Sequence, residues 1–173
     1  MGKLVFYYSS VGAGKTALLL KTHAEMEKKN ISTFLFIHQF KPYENNPIIQ
    51  SRNGKSKKAI TYDATVNFHK FIKKKIANIE NPCCLFIDEC QFLTEDHVRE
   101  LSNICAFTNI DVFCYGIRTD STGRPFPGSA YLLGVADDLI EVPSTCKCKG
   151  KATMNAEIFF GEKNNKNAKT PKR

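Results

Sequence analysis

Two short stretches of this chain carry residue types that act on phosphates. The first is Ser9-Ser10-Val11-Gly12-Ala13-Gly14-Lys15-Thr16, set between the apolar run Leu4-Val5-Phe6-Tyr7-Tyr8 and a helix-like start at Ala17-Leu18-Leu19-Leu20. A glycine-rich turn joining a buried strand to a helix is the layout of a P-loop, in which backbone N–H groups at a helix N-terminus surround a phosphate. Lys15 would then reach the β- and γ-phosphates, and the Thr16 hydroxyl would ligate Mg²⁺. The usual pattern, G-x-x-x-x-G-K-[ST], begins with glycine where this chain has Ser9. The plainer alternative is a helix that happens to start with Gly-Lys. The strand before it and the helix after it favour phosphate binding.

The second stretch is Leu85-Phe86-Ile87-Asp88-Glu89-Cys90-Gln91-Phe92, an apolar strand ending in two carboxylates. In a P-loop fold an Asp at the end of such a strand holds the Mg²⁺, usually through water. Asp88 suits that role. Glu89 then projects beside the metal, where a carboxylate can take a proton from an attacking hydroxyl or orient a water. The competing interpretation makes Asp88-Glu89 a cap for the following helix. The pair does not by itself separate ATPases, in which Glu activates water, from small-molecule kinases.

These residues need a sheet to hold them. Strands are expected over 4–8, 33–37, 84–87, 112–116 and 139–142, and helices over 15–29, 64–76 and 95–105. Strands apolar on both faces and separated by helices indicate an α/β fold, a P-loop (RecA-like) parallel sheet flanked by helices. Its strand C-termini lie along one edge, where ligands bind. Residues 38–60, with Pro42, Asn45-Asn46-Pro47 and Gly54-Lys55-Ser56-Lys57-Lys58, read as a long mobile loop near that edge. Three parts are expected: a P-loop domain over 1–142, a small Cys-x-Cys unit over 143–162, and a basic tail over 163–173.

Bulk properties narrow the function. The chain has 173 residues, 42% of them hydrophobic, enough for one sizeable core. No apolar run approaches the ~20 residues of a membrane span. The N-terminus leads directly into strand and P-loop, so a cytoplasmic protein without a membrane partner is expected. Of the seven cysteines, Cys83, Cys84, Cys90, Cys105 and Cys114 lie in apolar segments as small core residues, which suits a reducing compartment. The net charge is +8, but residues 149–173 hold seven Lys/Arg against two Glu. The rest is mildly basic, which suits handling of phosphates, and the tail reads as a solvated, disordered end rather than a nucleic-acid arm.

Four blocks together resemble the type II thymidine kinases: Phe6-Tyr7-Tyr8-Ser9 into Ala13-Gly14-Lys15-Thr16; Asp88-Glu89-Cys90-Gln91-Phe92-Leu93; Tyr115-Gly116-Ile117-Arg118-Thr119-Asp120; and Cys146-Lys147-Cys148 with Lys151-Ala152-Thr153-Met154-Asn155-Ala156. The resemblance runs collinearly from about residue 3 to about residue 156. It implies transfer of the ATP γ-phosphate to the 5′-hydroxyl of thymidine, with Mg²⁺. It places ATP on Ser9, Ser10, Val11, Gly12, Ala13, Gly14, Lys15 and Thr16 with Asp88, Glu89, Cys90 and Gln91. It makes Glu89 the general base and sets Phe92, Ile117 and Phe126 against the thymine ring. Ser121 stands where the family usually has an aromatic residue. Arg118, at the end of a buried strand, reads as a phosphate contact or a surface ion pair. The family also implies a homo-oligomer, a tetramer.

Three departures from the family follow. Its zinc ribbon uses two ligand pairs; Cys146 and Cys148 match the first, and no Cys or His follows Cys148. A lasso closing over the nucleoside lies between those pairs, and Glu157-Ile158-Phe159-Phe160-Gly161-Glu162 matches its start, leaving a ribbon/lasso remnant. Near His38-Gln39-Phe40-Lys41-Pro42 the family has an Asp and an Arg, so Arg52 is left as the phosphate-side cation. Two other functions stay open at this point: a nucleic-acid-stimulated P-loop ATPase, and a degenerate nucleotide-binding relative.

Overall fold

The computed structural model describes residues 1–40, 46–76, 83–146 and 148–156. Among the described residues eight strands and four helices follow one another: β1 Leu4–Tyr8, α1 Lys15–Lys28, β2 Ser32–His38, β3 Ile48–Gln50, β4 Ser56–Lys58, β5 Ile60–Tyr62, α2 Phe68–Ile76, β6 Cys83–Asp88, α3 Glu95–Phe107, β7 Asp111–Gly116, α4 Pro127–Val135 and β8 Asp138–Glu141. Six strands form one sheet in the order β5-β2-β6-β7-β1-β8, and every neighbouring pair is parallel. Strand C-termini therefore share one edge, as the apolar strand pattern requires.

The sheet is covered on both faces, which is why all six residues of β6 are buried. One face packs Leu19 and Leu20 of α1 and Ile49 of β3 against Val5, Leu35, Phe86, Phe113 and Tyr115. The other packs Phe68 and Ile72 of α2, Val98, Leu101 and Ile104 of α3, and Leu132 of α4 against Leu4, Phe6, Leu85, Ile87 and Val112. Alternate residues of one strand thus serve opposite cores.

Three features differ from the sequence expectation. Residues 38–60 are not one loop: β3 and β4 pair antiparallel, Ile48 with Lys58, and β5 extends the sheet beside β2. Ser51 closes the hairpin by donating its N–H and its hydroxyl to the Lys55 carbonyl, at 2.9 and 3.1 Å. Pro42 and Asn45 lie outside the described residues. Helix α2 begins at Phe68, not at residue 64, because Asp63 turns the chain by accepting from Thr65 N and Oγ1 at 2.8 and 2.7 Å. Asn67 then caps the helix, its Oδ1 accepting the Lys70 N–H at 2.6 Å. Helix α4 starts with Pro127 at its first position, where no N–H is needed.

From residue 143 a small folded-back unit forms, with Cys146 N donating to Gly150 O and Ala152 N to Ser144 O, both at 2.8 Å. The lasso segment 157–162 and the tail 163–173 lie outside the described residues.

Gly116 ends β7 under the turn that follows β6. A Cβ there would meet Cys90 Sγ and Gln91 Oε1, each at 2.7 Å, whereas one at Gly134 in α4 meets nothing within 4 Å. Gly116→Ala is therefore expected to cost about 1–3 kcal/mol in urea unfolding, while Gly134→Ala is neutral or gains up to ~1 kcal/mol. Equal effects of the two changes would contradict this packing.

Candidate functional site

The open strand edge places the two sequence stretches against each other. After β1, Ser9 and Ser10 turn inward and are buried, and Ser9 N donates to Gly116 O at 3.3 Å. Gly12 and Gly14 both adopt φ 85°, a conformation that costs a side-chain-bearing residue energy. Gly14 is the N-cap of α1 and supplies no capping side chain, and the first turn of α1 holds no acidic residue. Helix α3 is built the opposite way. There the Thr94 hydroxyl accepts from His97 N, the His97 ring accepts from Thr94 N, and Glu95 and Asp96 fill the first turn. The N-terminus of α1 thus keeps free N–H groups and an uncompensated dipole, the condition for binding an anion.

Lys15 is the cation of this loop. Its Nζ donates to the Ser10 carbonyl at 2.7 Å. Desolvation lowers its pKa, while Glu89 and Asp88 oppose that shift. A phosphate in the cradle would compete for the same ammonium. Arg52, from the β3–β4 hairpin, approaches the bend from the other side. Its guanidinium lies 3.2 Å from where a Cβ on Gly12 would sit, and it makes no ion pair among the described residues.

Across the cleft, Asp88 ends β6 and is 4% exposed. Its Oδ2 accepts from Thr16 Oγ1 at 3.2 Å, and its Oδ1 accepts from Glu89 N at 3.1 Å. Burial, and then the neighbouring Glu89 charge, push its pKa up to about 6. Glu89 adopts φ 54°, ψ 39°, a left-handed conformation that breaks the strand and opens the 3₁₀ turn Cys90–Phe92. Tyr62, at the end of β5, fixes that turn by donating its hydroxyl to Glu89 O at 2.7 Å. Gln91 sets the side chain: its Nε2 donates to Glu89 Oε2 at 2.5 Å while its Oε1 accepts from Ile117 N at 3.3 Å.

Val11, Gly12, Gly14, Lys15, Thr16, Asp88, Glu89 and Ile117 line one cleft of about 440 Å³, together with 50–53 of the hairpin. A hard oxygen pair, the Thr16 hydroxyl and the dry Asp88 carboxylate, fits a divalent cation there. Cys90, expected at the nucleotide, does not line this cleft. It is fully buried, packs under Gly116, and serves the turn. Gln91 is also buried and acts on Glu89.

Beside Glu89 lies an aromatic wall. Phe92 is 39% exposed, lies 5.9 Å from Phe126 edge-on, and has His38 at 4.5 Å and Phe40 at 5.5 Å between ring centroids. His38 and Phe40 were not recognisable as part of this wall, because only the parallel pairing of β2 with β6 brings their end of the chain to Phe92. Ser121 is exposed on the turn between Thr119 and Pro125. Arg118, expected at a phosphate or in a surface ion pair, makes no ion pair among the described residues. Its guanidinium lies 4.9 Å above the Tyr8 ring and donates to the Thr153 carbonyl at 2.9 Å.

Cys146 and Cys148 are both exposed, with Cys148 N donating to Cys146 Sγ at 3.4 Å. The Cys146 side chain holds the Cys148 thiol below its usual range. Two ligands fall short of the four of a structural zinc site, and among the described residues no three His, Cys, Asp or Glu gather to hold a metal. The residues present do not fit a closed zinc site. Among the described residues no helix is long and apolar enough to cross a membrane.

Comparison with known proteins bears on the acceptor. The family profile described as Thymidine kinase matches residues 2–169. The chain is 41% identical over 158 residues to a protein of Coxiella burnetii named Thymidine kinase, covering 91% of this chain and 81% of that one. It is 39% identical over 164 residues to one of the same name from Zymomonas mobilis, covering 94% and 84%. A Yersinia pseudotuberculosis protein, also named Thymidine kinase, is 36% identical over 155 residues, covering 89% and 78%.

The Asp88 environment has a stability consequence. A carboxyl whose folded pKa lies above its unfolded value binds more protons when folded, so stability falls as pH rises from about 4 to about 6. Above that range the penalty is of order 2–3 kcal/mol. In chelator at pH 7.5, Asp88→Asn is expected to raise the Tm of the ligand-free protein by roughly 4–8 °C and to remove that part of the pH slope. A lowered Tm in differential scanning calorimetry would contradict the assignment.

Proposed function

The chain belongs to the thymidine kinase family, and from that premise we propose that it moves the γ-phosphoryl group of ATP to the 5′-hydroxyl of thymidine with Glu89 as general base. The observation that carries this reading is the placement of Glu89. Its carboxylate follows Asp88 directly, lines the P-loop cleft, and is held by Gln91. A base in that position can reach a hydroxyl brought between the phosphate cradle and Phe92.

The steps divide among the chain's own residues. The free N–H groups of the α1 first turn and the loop before it take the phosphates. Lys15 exchanges the Ser10 carbonyl for phosphate oxygens, and Arg52 offers a second cation from the hairpin. The Thr16 hydroxyl and the Asp88 carboxylate would hold Mg²⁺, which would supply charge neutralisation for the phosphates. The aromatic wall of Phe92 and Phe126 suits a flat pyrimidine, and Ile117 lines the neighbouring cleft. Glu89 removes the 5′-hydroxyl proton as the oxygen bonds to phosphorus, and ADP carries away the electron pair of the broken bond. Positioning and charge neutralisation supply most of the rate.

Arg118 takes part indirectly in this reading, through residue 153. The division at residues 142 and 162, the homotetramer and the cytoplasmic location remain part of the proposal. Zinc does not enter it.

Purified protein with ATP, Mg²⁺ and thymidine should form ADP and thymidine monophosphate in equal amounts. Glu89→Gln should lower kcat by roughly 10²–10⁴ and leave the affinity for a non-hydrolysable ATP analogue within about threefold. ATP turnover that ignores thymidine but rises with single-stranded DNA would replace this reading with the ATPase one.

A further inference from the structure

The described residues of 144–156 touch the phosphate loop twice and Arg118 once. Ser10 and Ser144 hydroxyls are 2.9 Å apart. The Val11 N–H donates to Asn155 Oδ1 at 2.7 Å. Between these two anchors, the Thr153 carbonyl accepts from Arg118 at 2.9 Å, and Arg118 directly follows Ile117 of the cleft. The segment is one small unit: Thr145 and Lys151 form an antiparallel bridge, and Lys151 pairs with Glu141 at the end of β8.

Val11 is the exposed bend of the loop, 62% accessible, and Gly12 and Gly14 follow it in left-handed conformations. A bend of this composition has many alternatives when untied. Asn155 ties it at Val11 and leaves the N–H groups of the α1 first turn free for a ligand.

We propose that Asn155 is a positioning residue for phosphoryl transfer, holding the P-loop bend through Val11 and linking nucleotide binding to acceptor binding through Thr153 and Arg118. The identity of the second ligand rests on the thymidine kinase reading; the action on the loop does not. An acceptor that orders 153 also orders 155 and the bend, so the nucleotide meets a loop already fixed. Linkage makes the effect reciprocal.

The test uses the full chain, AMP-PNP, thymidine and amide exchange at Val11. In the wild type, Val11 exchanges slowly and each ligand tightens the other by the same factor, at least about fivefold. Asn155→Ala should expose Val11 to fast exchange, weaken AMP-PNP roughly tenfold, and bring the mutual factor near one. KM for ATP should rise while kcat stays within about twofold. Asn155→Asp, which keeps the acceptor oxygen, should keep Val11 protected. Unchanged AMP-PNP affinity in Asn155→Ala, or weakened affinity with Val11 still protected, overturns the proposal. So does a wild type whose ligands ignore each other, or a loss of more than about 5 °C in Tm in both variants, which would make Asn155 a folding residue. If the wild type binds no thymidine, the thymidine kinase reading fails, while the AMP-PNP and exchange results still decide for or against Asn155 on the loop.

Discussion

The Asp88 carboxylate is held almost dry at the end of β6, with Thr16 as its closest side-chain partner. Much of the site's design follows from that contact. It joins the P-loop helix to the middle of the sheet and leaves a carboxylate short of solvation. On the other bank, Lys15 and the bare N-terminus of α1 form a positive rim whose ammonium is itself desolvated. Neither bank is at its electrostatic best when empty. A cation paired with a polyphosphate would relieve both at once, which is the sense in which the proposed nucleotide site is preorganised.

The second constraint is the sharp exit from β6. Glu89 takes up a left-handed conformation that a non-glycine residue holds only when its surroundings fix it. Three strands supply that support: Tyr62 of β5 through a hydroxyl, β6 through Asp88, and β7 through the absent side chain of Gly116. Helix α4 approaches closely for the same purpose, since a Cβ on Gly128 would lie 2.6 Å from Leu93 O. The strain thus sits on the residue proposed as base, and the rigid sheet carries its cost.

Legibility in the sequence followed the range of the interactions. The P-loop and the Asp88-Glu89 pair were readable because strand, turn and acting residue are contiguous, and β1 and α1 emerged within a residue of their expected ends. The hairpin of β3 and β4 was not readable. Its strands are three residues long, and one of them, Ser56-Lys57-Lys58, is polar and exposed at every position. Helix α4 was hidden by Pro127 and Gly128, which ordinarily break helices but here serve a start and a close approach. Arg118 and Asn155 find their partners 35 and 144 residues away. No local pattern announces such contacts, and the long-range fold alone creates them.

In the proposed reaction Glu89 faces the acceptor oxygen while Thr16 and Asp88 face the metal. A crystal structure with a bisubstrate analogue, adenosine and thymidine joined through a phosphate bridge, tests it most directly. The expected result is a Glu89 carboxylate oxygen within about 2.6–3.2 Å of the thymidine 5′-oxygen, with Mg²⁺ on Thr16 and Asp88. A Glu89 side chain turned away from that oxygen, or a thymine ring placed away from Phe92, would contradict it.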